Sequence, residues 1–160
     1  MLDWRKVLCP IDFSDPSREA LRVAVDLARR YRAELVLLHV YQLPGVATPE
    51  AAIYGGRSAL DRMIRLVSSQ LAEWKAEAER LGATRVTTHA GSGVAFSEIV
   101  RFAEEQACDL VVLGTHGRNA VMRMLVGSTA ERVVRHAPCP VLTVRPVSPP
   151  AVTADPGASP

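Results

Sequence analysis

With 160 residues and a formal net charge of +2 at pH 7, the chain is sized for one domain and carries no electrostatic footprint for nucleic acid or an anionic membrane surface. Hydrophobic residues make up 48% and charged residues 22%, which excludes a disordered chain, while only 5% aromatics require an aliphatic core. No run of about 20 apolar residues is present to cross a membrane, and Asp3, Arg5 and Lys6 stand where a secretory leader needs an apolar stretch.

In chain order, residues 7–11 read as a first strand. Helix one opens at Ser14-Asp15-Pro16, a capping side chain followed by a proline whose missing N–H costs nothing there, and it aligns Leu21, Ala24, Ala28 and Tyr31. Residues 35–40 form the second strand. Residues 42–57 are a long irregular connection, a length that in compact domains goes with function or mobility. Helix two carries one stripe of Leu60, Ile64, Val67, Leu71, Trp74, Ala78 and Leu81, with Ser58 and Asp61 at capping-box spacing and Gly82 placed to close it. A weaker, β-branched third strand covers 85–88, and helix three uses Phe96, Ile99, Val100, Ala103 and Ala107. Residues 109–114 form the fourth strand, helix four runs from about Ser128 to Ala137 and stops at Pro138, and residues 141–144 form the fifth strand.

The first, second and fourth strands are nearly continuous in apolar residues, as strands covered on both faces must be. Strands alternating with helices make βαβ units. The expected fold is a five-stranded, parallel, doubly wound α/β sheet with helices on both faces, filling residues 1–145. Residues 146–160 hold five of the chain's eleven prolines and no aromatic residue, so they read as a disordered tail. Cys9, Cys108 and Cys139 are odd in number, widely spaced and without a Cys-x-x-Cys. They suit reduced packing thiols in a cytoplasmic protein rather than a disulfide framework or zinc site.

Ligands of open α/β sheets bind beyond the C-terminal strand ends. After the fourth strand come Gly114, two residues, Gly117, nine residues, and then Gly127-Ser128-Thr129 at the start of helix four. Glycines let backbone amides approach a ligand closely. The first amides of a helix lack intrahelical acceptors and sit at the positive end of its dipole, which suits a polyphosphate. Ser128 and Thr129 add hydroxyl donors and Arg118 a charge-assisted contact. The competing reading is a capping box between Ser128 and Glu131 that consumes these donors. Asp12 has a local alternative as well, capping the turn into helix one, and His39 reads as a strand-end or core histidine. The chain has no Gly-x-x-x-x-Gly-Lys-Ser/Thr, hence no P-loop lysine, and no Gly-x-Gly-x-x-Gly after the first strand.

The spacing of Gly114, Gly117 and Gly127-Ser128 resembles the ATP-binding branch of the universal stress protein family. So do Pro10-Ile11-Asp12-Phe13-Ser14, Leu38-His39-Val40 and the closing run from Cys139 to Val144. The resemblance spans residues 4–145 and implies a Rossmann-like strand order of 3-2-1-4-5. It further implies that Pro10, Ile11 and Asp12 hold the adenosine end, that Val40 meets the base, and that Gly114, His116, Gly117, Gly127, Ser128 and Thr129 surround ribose and phosphates. The expected ligand is ATP, or ADP or AMP, with Mg²⁺ or Mn²⁺ on the phosphates. Where the family usually has a proline near the start of helix three, this chain has Ala95. The family also implies a homodimer through the fifth strand, an apolar edge that no charge, glycine or proline blunts within 141–144.

The function read from these features is a nucleotide-binding stress or regulatory module with little or no turnover, without nucleic-acid or membrane partners. Two alternatives stand beside it. One is a slow ATP-hydrolysing or self-phosphorylating enzyme with Ser128 or Thr129 as acceptor. The other is an interaction scaffold of the same fold that binds no nucleotide.

Overall fold

Continuous apolar strands need cover on both sides, and the computed structural model, which describes residues 3–42, 57–115 and 127–145, supplies it. In chain order the elements are β1 (Lys6–Pro10), α1 (Asp15–Tyr31), β2 (Glu34–Tyr41), α2 (Arg57–Arg80), β3 (Val86–Ser92), α3 (Ala95–Glu105), β4 (Leu110–Gly114), α4 (Ser128–His136) and β5 (Val141–Val144). The sheet order is β3-β2-β1-β4-β5 and every pairing is parallel. Alternate residues of the central strands feed two cores. Val7, Cys9, Leu35, Leu37, Leu110 and Val112 pack with Leu21, Val25, Leu71 and Trp74 of α1 and α2. Leu8, Val36, Leu38, Val111 and Leu113 pack with Ile99, Ala103, Ala130 and Val133 of α3 and α4. At the N-terminal end of the sheet, Asp109 Oδ2 accepts from the Arg5 and Lys6 amides at 2.7 and 2.8 Å, tying the start of β1 to the segment that enters β4.

Local signals account for most boundaries. Ser14 caps α1 in extended geometry with Pro16 in the first turn. Gly82, at φ 102, turns the chain out of α2, and the Ala83 amide reaches back to the Ala78 carbonyl at 3.0 Å. Five expectations shift. Helix α3 ends at Glu105, so Ala107, exposed and at φ 48, lies beyond it rather than on its apolar face. Ser58 lies inside α2, which already includes Arg57, so it is not that helix's cap. The α2 stripe is buried at Val67, Leu71, Trp74 and Ala78 but exposed at Ile64 and Leu81. A helix of 24 residues is about 36 Å long and overhangs strands of this length. Cys139 is half-buried, unlike Cys9 and Cys108. Strand β3 extends to Ser92 because it pairs with β2 along its whole length, up to Tyr41↔Ser92, despite its Ala-Gly-Ser ending. The 146–160 segment and most of the 42–57 connection lie outside the described residues.

Candidate functional site

The strand order reverses between β1 and β4, and in open α/β sheets ligands bind beyond the C-terminal strand ends at such a switch point. Pairing of Val7 with Leu110 and Leu8 with Val111 puts Ile11, at the same offset, level with Gly114. Pairing of Pro10 with Leu38 likewise puts Asp12 level with Val40. Pro10, Ile11, Asp12, Val40 and Gly114 therefore meet at one end of the sheet. Val40 packs on the same face as α3 and α4.

One short contact brings the second half of the glycine pattern to this place. The Gly127 amide donates to the Thr115 carbonyl at 2.6 Å, while the Thr115 amide donates to the Val144 carbonyl at 2.9 Å. Thr115 is fully buried and so pins the end of β4 to both β5 and the entrance of α4. Gly127 is the N-cap of α4, and among the described residues no side chain caps this helix. Within the helix the Glu131 amide is the first to find an acceptor, the Gly127 carbonyl at 2.9 Å. The amides of Ser128, Thr129 and Ala130 therefore have no acceptor inside α4 and point outward with the positive end of its dipole. The capping-box alternative is absent: Ser128 is the first helical residue, and Glu131 instead pairs with Arg135 at 2.9 Å. Gly127 has φ −71 and ψ 155, an extended conformation open to any residue, so its backbone does not explain the choice of glycine.

The β1 exit is organised by the chain's own polar groups. The Asp12 amide donates to Ser17 Oγ at 3.1 Å, and that hydroxyl donates onward to Asp12 Oδ1 at 2.6 Å. The same carboxylate oxygen accepts from the Ser14 amide at 3.1 Å and from the Ser14 hydroxyl. Asp12 thus fills the local capping role. Phe13 follows in the left-handed region at φ 63, uncommon for a bulky residue. His39 is a strand-end histidine whose Nδ1 lies 2.8 Å from the Ile11 carbonyl.

His116, Gly117 and Arg118 lie outside the described residues. Sequence reasoning missed Ser17, Thr115 and Phe13. Ser17 had a signal, since it repeats the Ser14 hydroxyl one turn into a capped helix. Thr115 and Phe13 had none beyond adjacency to named residues. Burial pushes the Cys9 thiol up to about 12 and the Cys108 thiol up to about 11, so neither serves as a nucleophile near neutral pH. Among the described residues no three His, Cys, Asp or Glu side chains gather to hold a metal ion. A cavity of about 460 Å³ between α3 and α4 is lined by Phe96, Ser128, Glu131, Arg132, Arg135 and His136. There the Arg132 guanidinium stacks on Phe96 at 4.9 Å.

A doubly wound parallel sheet with an uncapped helix N-terminus at its switch point defines a Rossmann-like α/β domain. The model of the universal stress protein family matches residues 3–145. Universal stress protein MJ0531 of Methanocaldococcus jannaschii is 35% identical over 144 residues, covering 89% of this chain and 82% of that protein. The chain belongs to the universal stress protein family. Among solved structures, universal stress protein UspA from Lactobacillus plantarum superposes with a TM-score of 0.81 at 29% identity, covering 91% of this chain and all of that one. A universal stress protein in complex with cAMP superposes with a TM-score of 0.66 at 26% identity, over 90% of this chain and 98% of that one. No helix among the described residues is long and apolar enough to cross a membrane.

Proposed function

We propose that this chain is an adenine-nucleotide-binding stress or regulatory protein that takes ATP, ADP or AMP at the β1/β4 switch point and turns it over slowly or not at all. The observation that carries this reading is the Gly127–Thr115 hydrogen bond of 2.6 Å, which sets the uncapped N-terminus of α4 against the end of β4. Donors from backbone amides, the Ser128 and Thr129 hydroxyls and Arg118 suit phosphates. Val40, Pro10, Ile11 and Asp12 suit the adenosine end, with Gly114, His116, Gly117, Gly127, Ser128 and Thr129 around ribose and phosphates. The cAMP complex of a relative supports an adenine ligand. Mg²⁺ or Mn²⁺ would ride on the phosphates, since amides and hydroxyls are donors for an anion rather than ligands for a cation. Low turnover follows from the missing P-loop lysine and from an Asp12 Oδ1 already committed to three donors. The binding unit is residues 1–145, working in the cytoplasm as a homodimer through β5, the outer strand on which Leu142 is 39% exposed.

Denaturing the purified protein and identifying released nucleotide by mass spectrometry tests the reading. Adenine nucleotide near one per chain, with phosphate release far below the enzyme median of about 10 per second, is the expected result. Protein that releases none and binds none of ATP, ADP or AMP on titration favours the scaffold reading. Sustained phosphate release, or label retained on Ser128 or Thr129, favours the enzyme.

A further inference from the structure

We infer that His39 is the positioning residue of the adenosine half of this site, acting as a latch between β2 and the β1 exit. The inference rests on the nucleotide reading for its ligand but on geometry for the latch. A carbonyl only accepts, so the 2.8 Å contact with the Ile11 oxygen requires the hydrogen on His39 Nδ1. That carbonyl belongs to the peptide joining Ile11 to Asp12. A ring contact holds the same turn as well: Phe13 lies on His39 with centroids 4.3 Å apart and planes 30° from parallel. Phe13 in turn meets buried Trp74 edge-on at 5.8 Å, and the Arg18 guanidinium covers Trp74 at 4.8 Å.

Residues 11–13 are thus gripped before and after Asp12, and Phe13 is kept in the left-handed region. A bulky residue stays there only where its surroundings over-determine it. His39 is adjacent in sequence to Val40, so one residue ties the proposed base contact on β2 to the Asp12 turn on β1. Neither contact reaches the phosphate end at α4. Loss of the latch should therefore weaken AMP, ADP and ATP by the same factor.

The test compares wild type with His39→Phe, which keeps a ring and loses the donor, His39→Leu, which loses both, and His39→Asn, whose amide can donate to the Ile11 carbonyl. Amide hydrogen exchange at residues 12–14 is measured without nucleotide, and affinities for AMP, ADP and ATP by calorimetry. Faster exchange at 12–14 in the Phe and Leu variants is expected. So is a loss of about tenfold, equal for the three nucleotides and restored at least partly in His39→Asn. Wild-type exchange in His39→Phe, or a loss that grows with phosphate number, overturns the latch. Should wild type bind none of the three, the nucleotide reading falls and exchange alone decides the latch. Should His39→Leu not fold, the Phe and Asn variants decide it.

Discussion

Replacing Gly127 with serine should make the protein slightly more stable and a much poorer nucleotide binder. Gly127 is the N-cap of α4 at φ −71 and ψ 155, geometry that serine adopts in this role, and α4 has no side-chain cap. A serine there would accept from the Thr129 or Ala130 amide, worth a few tenths of a kcal/mol over glycine. For a domain of this size that raises Tm by about 1 °C. The hydroxyl would take one of the amides assigned to phosphate and place a Cβ beside it. Losing one charge-assisted hydrogen bond costs about 1.5–3 kcal/mol, a roughly 10- to 150-fold weaker Kd. Gly127→Ala separates the two effects, because it adds the Cβ without the cap: it should lose affinity and lose stability. Calorimetric titration with ATP and Mg²⁺, beside thermal melts, reads both quantities. A serine variant with raised Tm and unchanged affinity would refute the assignment of phosphate to α4.

Ser17→Ala leaves the Asp12 amide and carboxylate without their buried bridge, and should cost about 1–3 kcal/mol in urea unfolding together with some ATP affinity; unchanged stability would mean that water replaces the hydroxyl without loss. The Cys9 and Cys108 thiols are raised in the folded state from 9.0 to about 12 and about 11, so their contribution is intact below pH 9 and drains away as pH rises from 9 to 12. The fall of unfolding free energy over that window should be shallower in Cys9→Ala, and identical slopes would count against the burial argument. Light scattering of wild type should give a dimer at micromolar concentration and of Thr143→Pro, at a position whose N–H faces the open edge while Pro140 and Val144 bond to β4, a folded monomer; a wild-type monomer or a fully dimeric variant excludes the β5 interface.

What the sequence made legible was whatever is encoded within a few residues. Apolar runs announced β1, β2 and β4; Ser14-Asp15-Pro16 announced α1; Gly82 announced the end of α2. The fold class followed from their alternation, and the strand order from family resemblance. Strand β3 was underestimated because its last residues, Ala90 to Ser92, have poor strand propensity and are held by β2. At the site, the glycine spacing located the entrance of α4, and resemblance located Asp12 and Val40. The hydrogen bond from Gly127 to Thr115 and the His39 contact to Ile11 join residues distant in the chain, which no local pattern encodes. Likewise, whether Ser128 or Gly127 caps α4 depends on where the chain leaving β4 returns.

The proposed site, between β1 and β4, would bind an adenine nucleotide with its phosphates on α4. Titrating ¹⁵N-labelled protein with ATP and Mg²⁺ while following backbone amides tests it most directly. Saturable shifts concentrated at Asp12, Val40, Gly114 and residues 127–130 are expected, with GTP a weaker competitor. Shifts confined to Phe96, Arg132 and His136 along the α3/α4 cavity, or no saturable shift at millimolar ATP, would contradict it.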